Sequence, residues 1–182
     1  PNHLCSYVEI FPEVTLDVHF VDSEQAHEKV LAGDLELVFL TLPPQGDARL
    51  SYVTIWDDPL VFVAASFHPL ANQKNLQLED LIQYPSLLPA AQTYTSQITL
   101  AEFEKRGLKP KVSMSNNPLE SIRMLASIGL GWSVLPKTLI NQDLQQLDIN
   151  FEMNRQLGMV WHPGRSQSKA VLELIEMMKI KD

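Results

Sequence analysis

The stretch that most constrains the fold covers residues 115–136 and reads SNNPLESIRMLASIGLGWSVLP. Asn117 is a helix-capping residue, Pro118 suits a first helical position, and Glu120 stands where a reciprocal capping carboxylate belongs. Apolar residues then recur at helical spacing, and Gly129 offers a left-handed stop. These features predict a helix that begins beside Asn117 and ends before Gly129.

A short strand is predicted directly after this helix. Residues 131–135 form an apolar run, and Pro136 closes it because proline has no N–H for a ladder. Trp132 in this run is assigned to the core, since an indole ring buries a large area. The helix start presents unpaired backbone N–H groups that attract an anion or a carbonyl. Asn117 is therefore a candidate ligand contact, and a purely structural cap is the alternative.

The N-terminal part of the chain alternates between helix and strand patterns. An opening helix ends at Pro12, and a strand at residues 14–20 and a helix at residues 23–32 follow. Gly33 stops that helix before a strand at residues 37–42. Strand, helix and strand within roughly thirty residues predict a parallel βαβ unit.

Ligands of parallel sheets gather at the carboxyl ends of the strands. The predicted βαβ unit places Ser23, Thr41 and Leu42 at such ends. These three residues are therefore candidate ligand contacts.

A second module follows a break at residues 57–59, where Asp-Asp-Pro separates two strand patterns. A hydroxyl-rich loop precedes its long helix and supplies the candidate contacts Thr93, Tyr94, Thr95 and Ser96. Capping and turn chemistry are the alternative for these four residues. The further predicted elements are a helix at residues 78–82, strands at residues 86–89, 112–114, 147–151 and 157–161, and a final helix at residues 171–178. The alternation predicts an α/β class with two lobes.

The composition limits the kind of surface that the chain carries. Its 182 residues, 45% of them hydrophobic, are enough to bury a core in one or two domains. A formal net charge of −8 argues against a duplex-binding surface, which needs clustered Lys and Arg. No apolar run reaches the ~18 residues of a membrane span and no leader-like pattern opens the sequence, so a cytoplasmic protein is expected. Cys5, the single cysteine, is expected in the core.

The motifs of several enzyme classes do not occur in the sequence. There is no GxSxG elbow, no GxGxxG and no P-loop. The five histidines include no pair at helical metal-ligand spacing, so neither a metal nor another cofactor is expected. Asp57 and Asp58 are adjacent and would point to opposite sides of an extended segment, so we interpret them as a solvated turn. No catalytic residue is predicted.

Four strings, taken in order, carry a resemblance to a known family. They are FPEVTLDV near the start, VLAGDLELVFLTL, DDPLVFVAASFHPLA and LESIRMLASIGLGWSVLP. Each string is short, and their order and spacing together are specific. With them the chain resembles the effector-binding domain of LysR-type transcriptional regulators over nearly its whole length.

The resemblance implies an α/β, two-lobed fold like that of the type II periplasmic binding proteins, with a ligand cleft between the lobes. Lobe I would comprise residues 1–59 and 157–182, and lobe II residues 60–156. The strands that cross between the lobes would be residues 57–63 and 155–160. The family's N-terminal winged helix-turn-helix would lie upstream of this chain.

The resemblance also implies a function. The domain would sense a small anionic metabolite, the effector, between its lobes and would transmit its presence to the DNA-binding domain. Binding would shift the population of conformations, with no bond made or broken. The implied partners are the effector, a second copy of the chain in a homodimer that becomes a tetramer in the full-length protein, and DNA through the missing domain only.

The effector contacts that the resemblance implies agree with the residues singled out above. No arginine lies within these loops, so an anion would depend on amides and hydroxyls, with Arg123 in reserve. The full set of implied contacts is Ser23, Thr41, Leu42, Thr93, Tyr94, Thr95, Ser96 and Asn117.

Two other classes share such a scaffold. A free-standing solute-binding protein would have the same fold with an export signal. A dehydratase-like enzyme would need a general acid in its cleft, and the implied contacts include neither a carboxylate nor a histidine.

Overall fold

The computed structural model describes residues 2–115 and 118–179, and the chain divides into two compact units. The first unit contains Pro1–Trp56 and Gln156–Asp182, and the second contains Asp57–Arg155. The helices are α1 (Asn2–Ile10), α2 (Ser23–Ala32), α3 (Leu78–Leu81), α4 (Tyr94–Glu104), α5 (Leu119–Ser127) and α6 (Lys169–Lys179). The strands are β1 (Leu37–Thr41), β2 (Ser51–Ala65), β3 (Pro85–Leu88), β4 (Lys111–Ser115), β5 (Trp132–Pro136), β6 (Leu144–Gln146) and β7 (Met153–Trp161). The chain passes from one unit to the other within β2 and again within β7.

In the first unit α2 packs on β1. Ala26 and Val30 of α2 are buried in one apolar cluster with Val38 and Leu40 of β1. The helix ends as predicted at Gly33, whose φ of 89° is left-handed. This packing brings the first turn of α2 beside the last residue of β1.

The predicted strand at residues 14–20 is wrong, and with it the parallel βαβ unit. These residues have no regular secondary structure, and β1 pairs antiparallel with β7. Phe20 is 94% exposed and Val18 56%. Alternation of apolar residues marks a strand only where a neighbour completes the hydrogen-bond ladder, and no strand in the described part of the chain pairs with this segment.

In the second unit β2 pairs antiparallel with β5 and β6, and β3 pairs parallel with β5 and β4. The core of this unit centres on Trp132, which is fully buried and stacks on Phe103 with ring centroids 5.7 Å apart. Its indole N–H donates to the Leu81 carbonyl at 2.8 Å, so the one polar atom of the ring is satisfied. The prediction that Trp132 belongs to the core is confirmed.

The stretch at residues 115–136 forms α5 and β5, largely as predicted. Gly129 has a φ of 84°, the left-handed stop that the sequence indicates. A Cβ on Gly131 would stand 2.4 Å from the Pro85 carbonyl oxygen, so this position needs glycine. Pro118 precedes the helix, and Pro136 pairs with Leu60 as part of β5.

The predicted break at residues 57–59 is wrong, because β2 continues through it from Ser51 to Ala65. Asp58 is 7% exposed in the middle of this strand, and it is not in a solvated turn. An ion pair with Arg155 compensates its burial. This contact from a distant strand overrides the turn preference of the local sequence.

Two smaller predictions also fail. The strand predicted at residues 147–151 lies earlier, as β6, and Leu147 instead packs in the second unit's core while its N–H donates to the Phe62 carbonyl at 2.9 Å. Cys5 is exposed on α1, because Tyr7 takes the buried side of that helix.

Candidate functional site

In the first unit, Ser23 and Thr41 meet. Ser23 opens α2, and its Oγ accepts a hydrogen bond from the backbone N–H of Thr41 at 3.1 Å. Thr41 is 5% exposed at the end of β1. Leu42 donates its backbone N–H to the Gln156 carbonyl at 2.8 Å, and its side chain lies in the apolar cluster. The structure thus brings together Ser23 and Thr41, the two hydroxyl residues predicted for this unit, while the Leu42 side chain is part of the core.

In the second unit, the predicted hydroxyls lie at the start of α4. The Thr93 Oγ1 accepts from the Ser96 N–H at 3.3 Å and donates to the Ala90 carbonyl at 2.8 Å. The Ser96 hydroxyl donates to the Pro89 carbonyl at 2.6 Å. Thr93 and Ser96 therefore hold the loop and the helix start in place, which is the capping role that the sequence left open.

Thr95 differs from its neighbours because a charged group contacts it. Its Oγ1 accepts a hydrogen bond from Nη1 of Arg155 at 3.2 Å, and Thr95 is 7% exposed. Tyr94, one position earlier, is also buried. The start of α4 therefore carries a cation that does not come from its own loop.

Arg155 and Asp58 are the residues that sequence reasoning missed. The Asp58 Oδ2 accepts from Nε of Arg155 at 2.8 Å and forms an ion pair with Nη2 at 2.7 Å. Only 14% of the arginine side chain and 9% of the aspartate side chain are exposed. Both lie in the segments that the resemblance assigns to the crossing strands. The available signal in the sequence was an acidic residue in one of these segments and a basic residue in the other.

The reserve cation named from the sequence has a different partner. Arg123 donates from Nε to Glu120 at 2.8 Å, one turn apart on α5. Asn117, the last candidate contact, lies outside the described residues. The prediction for Asn117 therefore remains untested.

A second carboxylate–arginine pair lies in the first unit, in the loop after β1. Arg49 donates to Asp47 from Nε at 3.0 Å and from Nη2 at 2.7 Å, and its backbone N–H donates at 2.9 Å. These bonds hold the pKa of the Asp47 carboxyl well below its usual range. His27 on α2 also contacts this carboxylate, with its Nε2 3.0 Å from Oδ2. The contact ties the loop to α2.

His68 is a buried histidine of the second unit, 6% exposed. Its Nδ1 accepts from the Leu70 N–H at 3.2 Å, and its ring meets Tyr84 edge-on at 5.2 Å. Burial lowers the pKa of His68, so the neutral ring is favoured. Its surroundings are those of a turn within the core.

Residues 2–115 and 118–179 contain no cluster of three or more His, Cys, Asp or Glu that could hold a metal ion. No helix in the same ranges is long and apolar enough to cross a membrane. The groups gathered at the start of α4 are hydrogen-bond donors and acceptors, and they suit the binding of a small polar molecule.

Comparison with known proteins places the chain in a family. The family model described as the LysR substrate binding domain matches residues 1–181. The HTH-type transcriptional regulator CysL of Bacillus subtilis (strain 168) is 24% identical over 187 residues, covering 98% of this chain and 62% of CysL. The chain spans roughly half the length of the curated relatives it matches.

Two solved structures show the same fold. The effector binding domain of QuiR in complex with shikimate has a TM-score of 0.88 at 16% identity, covering 98% of this chain and 87% of that one. The Synechocystis PCC6803 CcmR regulatory domain in complex with 2-PG has a TM-score of 0.84 at 23% identity, covering 98% and 89%. With the family model matched over almost every residue, the chain belongs to the LysR substrate binding domain family.

Proposed function

We propose that this chain is the effector-sensing domain of a LysR-type DNA-binding transcriptional regulator, and that its effector is a small anionic metabolite. The observation that carries the proposal is the start of α4, where the buried Thr95 hydroxyl accepts from Arg155. Thr93 and Ser96 fix this helix start, so the site is preorganised before a ligand arrives. The names of the relatives favour a regulator over a solute-binding protein or a dehydratase-like enzyme.

The two similar domains solved with small molecules support the ligand class. One contains shikimate and the other 2-PG. We propose that the effector of this chain is of comparable size and that Thr41 and Thr95 are contacts for it. Ser23 supports Thr41 through the bond to its N–H.

The proposed mechanism is a population shift. An effector that binds one conformation of the domain better than another changes the balance between them by its difference in affinity. The domain would work as a homodimer, within a tetramer in the full-length protein, and the shift would reach DNA through the DNA-binding domain that precedes it. Sedimentation of the isolated domain at high micromolar concentration checks the dimer, and a strict monomer would contradict it.

A thermal-shift screen with a metabolite panel, including shikimate and 2-PG, tests the proposed function. A ligand at ~100 times its Kd stabilises the folded state by about 2.7 kcal/mol. Thr95→Val and Thr41→Val keep the side-chain shape and remove the hydroxyl, so we expect each to reduce that stabilisation. The matched control is Thr138→Val, since Thr138 is an exposed threonine of the second unit. Equal stabilisation of all three variants would show that the site assignment is wrong.

A further inference from the structure

We infer that Arg155, held in place by Asp58, recognises a carboxylate of the effector, so that the ligand class of this domain is the small carboxylic acids. The inference rests on the proposed function and adds to it a residue and a chemical group. It concerns only the second unit, which contains Asp58, Thr95 and Arg155.

The hydrogen bonds of Arg155 leave part of its guanidinium available. A guanidinium has five N–H groups in a fixed plane. Asp58 accepts from Nε and forms an ion pair with Nη2 at 2.7 Å, and Thr95 accepts from Nη1. In the part of the chain that the structure describes, the guanidinium has no other acceptor, so N–H groups on both terminal nitrogens remain available.

These two donors match a carboxylate. Two N–H groups on the terminal nitrogens of one guanidinium have the spacing of the two oxygens of a carboxylate, and such charge-assisted bonds are short and strong. The side chain retains 14% exposure, so a ligand can reach it while most of the group stays out of water. A partly buried arginine also binds an anion more firmly than an exposed one, because water competes less for it.

Asp58 determines how the arginine is presented. Its Oδ2 accepts from Nε and lies 2.7 Å from Nη2, beside the edge of the guanidinium formed by these two nitrogens. This contact holds the guanidinium at the edge formed by Nε and Nη2. Asp58 also cancels the charge of Arg155, so the pair attracts an anion only through directed hydrogen bonds. A singly charged carboxylate suits that site better than a doubly charged phosphate, for which Asp58 is a source of repulsion.

The start of α4 supplies a second set of donors next to the arginine. The Thr93 hydroxyl takes the Ser96 N–H, while the Thr95 N–H has no acceptor within residues 2–115 and 118–179. The N-terminal end of a helix carries partial positive charge. A carboxylate on Arg155 would therefore find the helix end favourable as well.

The experiment compares acids with their uncharged analogues on the whole chain. Isothermal calorimetry and thermal shift are run with a panel of small carboxylic acids, among them pyruvate, succinate and benzoate, each beside its primary amide, and with inorganic phosphate. We expect acids to bind and their amides to bind on the order of tenfold to a hundredfold more weakly, since a hydrogen bond to a charged partner is lost. Binding of phosphate alone would overturn the assignment of a carboxylate.

The decisive variant is the double substitution Asp58→Asn with Arg155→Gln, which replaces the ion pair by two amides and buries no unpaired charge. We expect it to abolish the preference for acids over amides. Asp58→Asn alone keeps the cation and an acceptor for it, so acids should bind at least as tightly as to the wild type. If the pair has only a structural role, both variants should instead lose affinity for acids and for amides to the same extent.

The matched control is Glu102→Gln with Arg106→Gln, a carboxylate–arginine pair at the far end of α4. This variant should keep the wild-type preference for acids. If acids and amides bind the wild type equally, the carboxylate assignment is wrong, while the proposed role as an effector-sensing domain stands. If neither class nor phosphate binds, the proposed function fails and the inference fails with it.

Discussion

Two carboxylate–arginine pairs, Asp47–Arg49 in the first unit and Asp58–Arg155 in the second, differ in how the chain forms them. Asp47 and Arg49 are two positions apart, and 69% of the Arg49 side chain is exposed. Asp58 and Arg155 are 97 positions apart, and both side chains are largely buried. An ion pair at the surface is screened by water and contributes little to stability. In a buried pair, loss of one partner leaves the other as an unpaired buried charge, which is strongly destabilising. The same chemistry therefore shapes a local loop in one unit and a candidate binding site in the other.

The largest expected effect tests the buried pair. Arg155→Ala should lower the free energy of unfolding by about 3–5 kcal/mol, because it leaves Asp58 buried without a partner. Urea denaturation measures the change. Arg49→Ala is the control and should have a much smaller effect, since Arg49 is exposed. If the two variants were equally stable, the contrast between the pairs would not hold.

A smaller loss of stability is expected in the first unit, when the Ser23 hydroxyl that binds the Thr41 N–H is removed. Ser23→Ala removes the acceptor of the Thr41 N–H and should lower the free energy of unfolding by about 1–2 kcal/mol. Ser127→Ala is the matched control, because its hydroxyl donates to the Met124 carbonyl at an exposed position. A loss for Ser23→Ala no greater than that of the control would mean that the Thr41 N–H finds water instead.

The smallest effect concerns the acid stability of the Asp47–Arg49 pair. The folded state lowers the pKa of Asp47 from an ordinary value of 3.8, so the stability that this carboxylate contributes is fully present above a pH of about 4. That contribution is lost as the pH falls further and the group takes up a proton. Asp47→Asn should therefore flatten the acid side of the stability curve, measured by urea denaturation between neutral and acid pH.

The features that the sequence predicts well are those decided by neighbouring residues. The helix stops at Gly33 and Gly129 follow from a left-handed conformation that glycine alone adopts readily, and both are observed. The capping alternative for Thr93 and Ser96 also depends on local chemistry, because the Thr93 hydroxyl accepts from the Ser96 N–H only three residues away. Local chemistry was therefore enough for α2, α4 and α5.

The features that the sequence does not predict depend on contacts between distant segments. Arg155 reaches Thr95 across 60 positions and Asp58 across 97, and no local pattern announces either contact. The same limit explains the failure at residues 57–59, since a strand through Asp-Asp-Pro is stable only with its distant partner. The strand predicted at residues 14–20 fails for the opposite reason. The alternating pattern of a strand is present there, but no strand among the described residues pairs with it.

The buried indole of the second unit gives each unit its own optical signal. Trp132 is fully enclosed, whereas Trp56 is 48% exposed, and Trp161 and Trp56 both belong to the first unit. An enclosed indole emits at shorter wavelength than a hydrated one, so replacing Trp56 and Trp161 by phenylalanine would leave fluorescence that reports on the second unit alone. Ligand binding at the start of α4 could then be followed without a label, in the unit that contains Arg155.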